Sequence, residues 1–97
     1  MKYEEYPQEL KNKLSDFQPK IKYKKSKYMM ATKAYHKLGD ISSNAPNLCS
    51  VSGENGEFYV GSWVTGYGFF HVNFPKETTR ELTQKEIEHY NTQYIGY

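Results

Sequence analysis

Apolar residues fall into two kinds of period along this chain. In PQELKNKLSDF, residues 7–17, Leu10, Leu14 and Phe17 recur at i, i+4 and i+7, so the spacing predicts a short helix. Pro7 suits its first turn, Glu9 complements the helix dipole, and Gln18-Pro19 ends it. Lys20–Lys24 then alternates lysine with Ile21 and Tyr23, a period of two. A strand is expected from about Lys27 to Tyr35, although Met, Ala and Lys also suit a helix there. His36–Asn47 is dense in turn formers and reads as a loop.

The centre predicts an antiparallel meander. Asn55-Gly56 is a strong signal for a two-residue hairpin turn, since both residues tolerate positive φ. Folding about it sets Val51 opposite Val60 and Leu48 opposite Trp63. A second turn at Gly66-Tyr67 sets Trp63 against Phe70, Gly61 against Val72 and Tyr59 against Phe74. One face then carries Leu48, Tyr59, Trp63, Phe70, Val72 and Phe74. The other keeps Phe58, Val60, Val64 and Phe69, and the terminal helices are the candidates to cover it. Pro75 ends the third strand, and Thr78–Leu82 reads as one more. Thr83 and Glu86 then have capping-box spacing, flanked by a Leu82/Ile87 hydrophobic staple. Ile87, Tyr90 and Tyr94 continue the apolar face of a C-terminal helix.

The expected architecture is α+β in one domain over residues 1–97. A helix at 7–17 and a helix at 83–94 flank an antiparallel core at 27–82. That core is a small curled antiparallel sheet or a five-stranded Src-homology-type barrel.

Composition narrows the possible functions. Leu, Ile, Val and Phe make up under a fifth of the 97 residues, yet the net charge is only +2 and 16% of residues are aromatic. A folded domain whose core leans on rings fits that balance better than disorder does. No run approaches a membrane span, and MKYEEYPQEL lacks the apolar run of a signal peptide. Cys49 is the single cysteine, so an internal disulfide and a multi-thiolate zinc site are both excluded. A cytosolic protein without membrane partners or cofactors is expected.

Chemistry-bearing residues are sparse. His36, His71 and His89 fall on separate elements, with no paired metal-ligand spacing and no phosphate-binding loop. The expected register does set Cys49, Ser62 and His71 side by side on three strands, as a nucleophile and base would be. No acid stands beside His71 to orient it, so Cys49 as a small buried hydrophobe is the better reading, and no enzyme is expected.

Charge is distributed unevenly. Lys20, Lys22, Lys24, Lys25, Lys27, Lys33 and Lys37 form a run with no acid, which leaves the rest of the chain net acidic. Tyr23, Tyr28 and Tyr35 interleave with them. Lysines on an edge strand guard against aggregation, and lysines beside rings can also track a phosphate backbone. The absence of arginine removes bidentate recognition. Ten tyrosines cannot all be buried with satisfied hydroxyls in so small a domain, so several are available at a surface. The candidate partner-binding set is Lys22, Tyr23, Lys24, Lys25, Lys27, Tyr28 and Tyr67.

From Gly61 to Leu82 the chain reads GSWVTGYGFFHVNFPKETTREL. With the following LTQKEIEHYN, this resembles short uncharacterised accessory proteins of Gram-positive bacteriophages and prophages. The resemblance covers about the last third of the chain and carries no active-site motif, so no residue role comes with it. It implies action in the host bacterial cytoplasm by binding a host or phage protein, including defence factors, or by binding nucleic acid.

The capping box makes a direct prediction. Thr83→Ala should cost about 0.5–2 kcal/mol of stability in urea unfolding; an unchanged midpoint would remove the box.

Overall fold

The computed structural model describes residues 2–14, 17–64 and 71–90. Seven strands form one antiparallel sheet: β1 (Ile21–Ala31), β2 (Tyr35–His36), β3 (Gly39–Asp40), β4 (Asn47–Asn55), β5 (Phe58–Trp63), β6 (Val72–Pro75) and β7 (Thr79–Arg80). Their spatial order is β3-β2-β6-β5-β4-β1-β7. The sheet curls, with α1 (Gln8–Lys13) before it and α2 (Gln84–Tyr90) after it. The expected curled sheet is present with seven strands rather than the five of the barrel alternative. The additional strands come from the segment expected to be a loop, where Tyr35–His36 pairs with Gly39–Asp40. The strand expected from Lys27 instead starts at Ile21 and stops at Ala31.

The β5–β6 register is as expected: Tyr59 opposes Phe74 and Gly61 opposes Val72. The tight turn at Gly66-Tyr67 that would set it, and Phe69 and Phe70, lie outside the described residues, as does Tyr94. The first hairpin is displaced. Asn55 pairs with Phe58, so the turn residues are Gly56-Glu57, with Gly56 at φ 60°. Further along, Cys49 rather than Leu48 opposes Trp63. Two shifts combine: the displaced turn alone would set Ser50 against Trp63, and a bulge takes one residue back, since Val51 opposes Gly61 while Gly53 opposes Val60, which leaves Ser52 as an extra residue on β4. One extra residue exchanges the faces of everything beyond it. Cys49 and Val51 therefore join the core that the sequence assigns to Leu48.

That core lies on one face, called here the inner face. Met29, Ala31, Ala34, Cys49, Val51, Val72 and Phe74 are buried there, with Tyr23, Ile41, Tyr59 and Trp63 packed around them. Trp63 is half-buried, edge-on to Phe74 at 5.0 Å between ring centroids. Its Nε1–H donates to the Ile41 carbonyl at 3.0 Å. On the outer face, Tyr6, Leu14 and Phe58 are buried together with Leu10, Phe17 and Tyr35 against them. The N-terminal stripe thus covers Phe58 as expected, from a helix of six residues and its flanks rather than from a helix over 7–17. No residue of α2 is fully buried.

The capping box forms reciprocally. Glu86 N–H donates to Thr83 Oγ1 at 3.3 Å, and Thr83 N–H donates to Glu86 Oε1 at 2.8 Å. Arg80 clamps the same carboxylate with two bonds, 2.7 and 2.9 Å, which tie α2 back to β7. Arg80 first and the Thr83 amide second pull the Glu86 carboxyl down to about 2.

Gly61 is held by close approach. A Cβ there would run into the Ser50 carbonyl and lie 2.8 Å from Val51 Cα, where the curled strands cross most tightly. Gly61→Ala should therefore cost at least about 1–3 kcal/mol by overpacking. Gly56→Asn should cost far less, since nothing lies within 4 Å of its Cβ position and Asn tolerates positive φ. Equal urea midpoints for the two variants would contradict the tight crossing.

Candidate functional site

The site begins with an irregularity in β1. Lys22 opposes Gly53 on β4, but Lys27 already opposes Val51. Tyr23, Lys24, Lys25 and Ser26 thus stand against Ser52 alone. On its other side β1 pairs with β7 only at Met30 and Ala31. From Ile21 to Met29 that side of β1 has no strand partner among the described residues. A strand paired on one side only, with five of its first eight residues lysine or serine, is a surface that water can solvate.

Lys22, Lys24, Lys25 and Lys27 are all exposed, as is Lys20. Lys27 is held by Glu81 at 2.7 Å, and this partner raises the Lys27 ammonium pKa and lowers that of Glu81. Lys20, Lys22, Lys24 and Lys25 form no ion pair among the described residues. The linear run of lysines does not become one patch. Lys37 sits in the turn between β2 and β3, at the opposite end of the strand order, and Lys33 follows the end of β1.

The tyrosines separate from the lysines. Tyr28 is half-buried. Tyr23 turns to the inner face, where its hydroxyl donates to Glu54 Oε2 at 2.7 Å. Tyr67 lies outside the described residues. Glu54 also pairs through Oε1 with Lys76, which follows β6, and the Lys76 ammonium stands 5.4 Å over the Tyr59 ring. One carboxylate thereby bridges β1 to the end of β6 across the curl. The Lys76 bond first, then the Tyr23 bond, hold the Glu54 carboxyl below its ordinary value. Burial and the Glu54 bond push the Tyr23 hydroxyl up. Sequence spacing carries no signal of this network, because 31 residues separate Tyr23 from Glu54 and 22 separate Glu54 from Lys76.

The side-by-side arrangement of Cys49, Ser62 and His71 is not formed. Ser50, not Cys49, opposes Ser62, so the bulge sends Cys49 to the inner core. Cys49 is fully buried, and burial pushes its thiol up to about 12, the reverse of what a nucleophile requires. His71 is exposed, with φ 59°, just before β6. Among the described residues no cluster of three or more His, Cys, Asp or Glu could hold a metal. No described helix is long and apolar enough to cross a membrane.

A separate pocket of about 490 Å³ lies on the outer face, between α1 and the β5–β6 pair, with Leu10, Tyr35, Phe58 and Pro75 among its walls. Beside it, Asn73 is fully buried and pairs with Tyr35 across the strands; its side-chain oxygen has no hydrogen-bond partner among the described residues.

No family model, curated protein or solved structure matches this chain.

The Glu54 network makes stability depend on pH. A carboxyl whose folded pKa lies below its unfolded value of 4.5 contributes fully above that value, and the contribution is lost as pH falls through the folded pKa. Glu54→Gln should lower the urea midpoint at pH 7 and flatten its decline between about pH 5 and 3. An unchanged acid slope would show that Glu54 carries no such coupling.

Proposed function

We propose that this chain is a non-enzymatic binding module that engages an acidic surface of a partner protein through the free edge of β1. The observation that carries the reading is the cluster of exposed cations at Lys20, Lys22, Lys24 and Lys25, without an ion pair or a second strand partner among the described residues. The displaced Cys49 supports a role without catalysis. The resemblance of residues 61–91 to phage accessory proteins supports a setting in which the partner is a host protein, defence factors included.

Nucleic acid is the alternative partner, and the distribution of charge disfavours it. Glu54 and Glu81 border the strip, and Glu81 already neutralises Lys27. Lys37 stands at the far end of the strand order. What remains is a short strip, Lys20 to Lys25, shortened further by the bulge opposite Ser52. It contains no arginine to grip phosphates. A compact acidic epitope matches such a strip, whereas a long polyanion would run onto the flanking acids.

Affinity capture from a bacterial lysate followed by kinetics on the captured partner tests this. Changing Lys22, Lys24, Lys25 and Lys27 to Gln should slow association by about tenfold at low salt and leave dissociation within about twofold. Tight, sequence-independent binding of a 20-base-pair duplex at about 0.15 M salt would overturn the reading in favour of nucleic acid.

A further inference from the structure

The outer-face pocket is independent of the lysine edge. Its volume of about 490 Å³ falls in the range that holds small molecules. Leu10 from α1, Phe58 from β5 and Pro75 from β6 supply apolar walls, and the ring of Tyr35 from β2 completes them. That ring is fixed edge-on by Tyr6, with centroids 5.5 Å apart. The Tyr35 hydroxyl, unlike those of Tyr6 and Tyr23, makes no hydrogen bond among the described residues. Tyr35 is half-buried, and a hydroxyl in an apolar wall gains most from a partner that enters with the ligand.

The charges around the pocket argue against an anion. Lys13 is paired with Glu57 at 2.9 Å, and the Lys76 ammonium is drawn to Glu54 on the inner face. Glu77, also lining the pocket, has no ion-pair partner among the described residues. With both cations paired and one carboxylate left over, the local field disfavours acids, and the apolar walls disfavour any full charge.

We infer that this pocket binds an uncharged aromatic ligand of the phenol class, its ring against Phe58 and Pro75 and its hydroxyl paired with that of Tyr35. The affinity is modest for a single ring, about 1 mM for the smallest member.

The test uses the full chain, isotope-labelled for amide NMR, with p-cresol, toluene and 4-hydroxyphenylacetate as probes. p-Cresol should shift the amides of Gly56, Glu57 and Phe58 saturably. It should bind about fivefold tighter than toluene, the worth of one net hydrogen bond, with 4-hydroxyphenylacetate the weakest. Tyr35→Phe keeps the ring and its packing, so the fold is retained; in that variant p-cresol and toluene should bind alike. No saturable shift at those amides with p-cresol would overturn the inference. So would a Tyr35→Phe protein that still prefers p-cresol fivefold, or tightest binding by 4-hydroxyphenylacetate.

Discussion

The structure depends on a slip in register at Ser52. β4 is flanked by β5 and β1, and both ladders break at this residue. Against β5, Ser52 is a single extra residue, its hydroxyl donating to the Val60 carbonyl at 3.1 Å. Against β1, four residues stand opposite it. Bulges increase local twist and bend the strand that carries them, and two at one point curl the sheet. Small residues make the curl sterically feasible. Gly53 lies under β1, where a Cβ would run into the Ile21 carbonyl and meet Pro19 Cβ at 2.7 Å. Gly61 lies under β4 on the other side.

Two consequences follow from the curl. It brings the start of β1 and the end of β6 close enough for Glu54 to bond Tyr23 and Lys76 together, which closes the inner face at one end. At the other end Trp63 reaches the Ile41 carbonyl. The same bulge holds Lys24 and Lys25 out of the ladder, so the cations that avoid aggregation at an edge are also those proposed to meet a partner. On that proposal, folding and binding draw on one feature. Lysines concentrated on one bulged edge remain solvated, whereas Tyr23 among them is drawn inward to Glu54 and the core.

Much of this was legible in the sequence, and the gaps share one physical origin. The Thr83/Glu86 box, the Leu10/Leu14/Phe17 stripe and the Tyr59–Phe74 register are local patterns, each read from residues close in sequence. The exposure of Lys22 to Lys27 follows from the cost of desolvating cations. What could not be read was the Ser52 bulge, since a β-strand of alternating character gives no sign that one residue is unpaired. Missing that single residue moved Leu48 and Cys49 to the wrong faces, and reading the turn at Asn55-Gly56 rather than Gly56-Glu57 added to it in setting Cys49 beside Ser62. The bond from Tyr23 to Glu54 and the pairing of Lys27 with Glu81 join residues far apart in sequence, so they emerge only when the sheet closes.

The central claim is that β1 leaves its ladder at Ser52 and re-enters three residues out of step. Cross-strand proton contacts measured by NMR test it directly. The account predicts contacts of Lys22 with Gly53 and of Lys27 with Val51, and Met29 with Cys49 beyond them. A continuous ladder would instead carry the Lys22–Gly53 register onward and set Lys24 against Val51. Contacts between Lys24 and Val51, with none between Lys27 and Val51, would contradict the account.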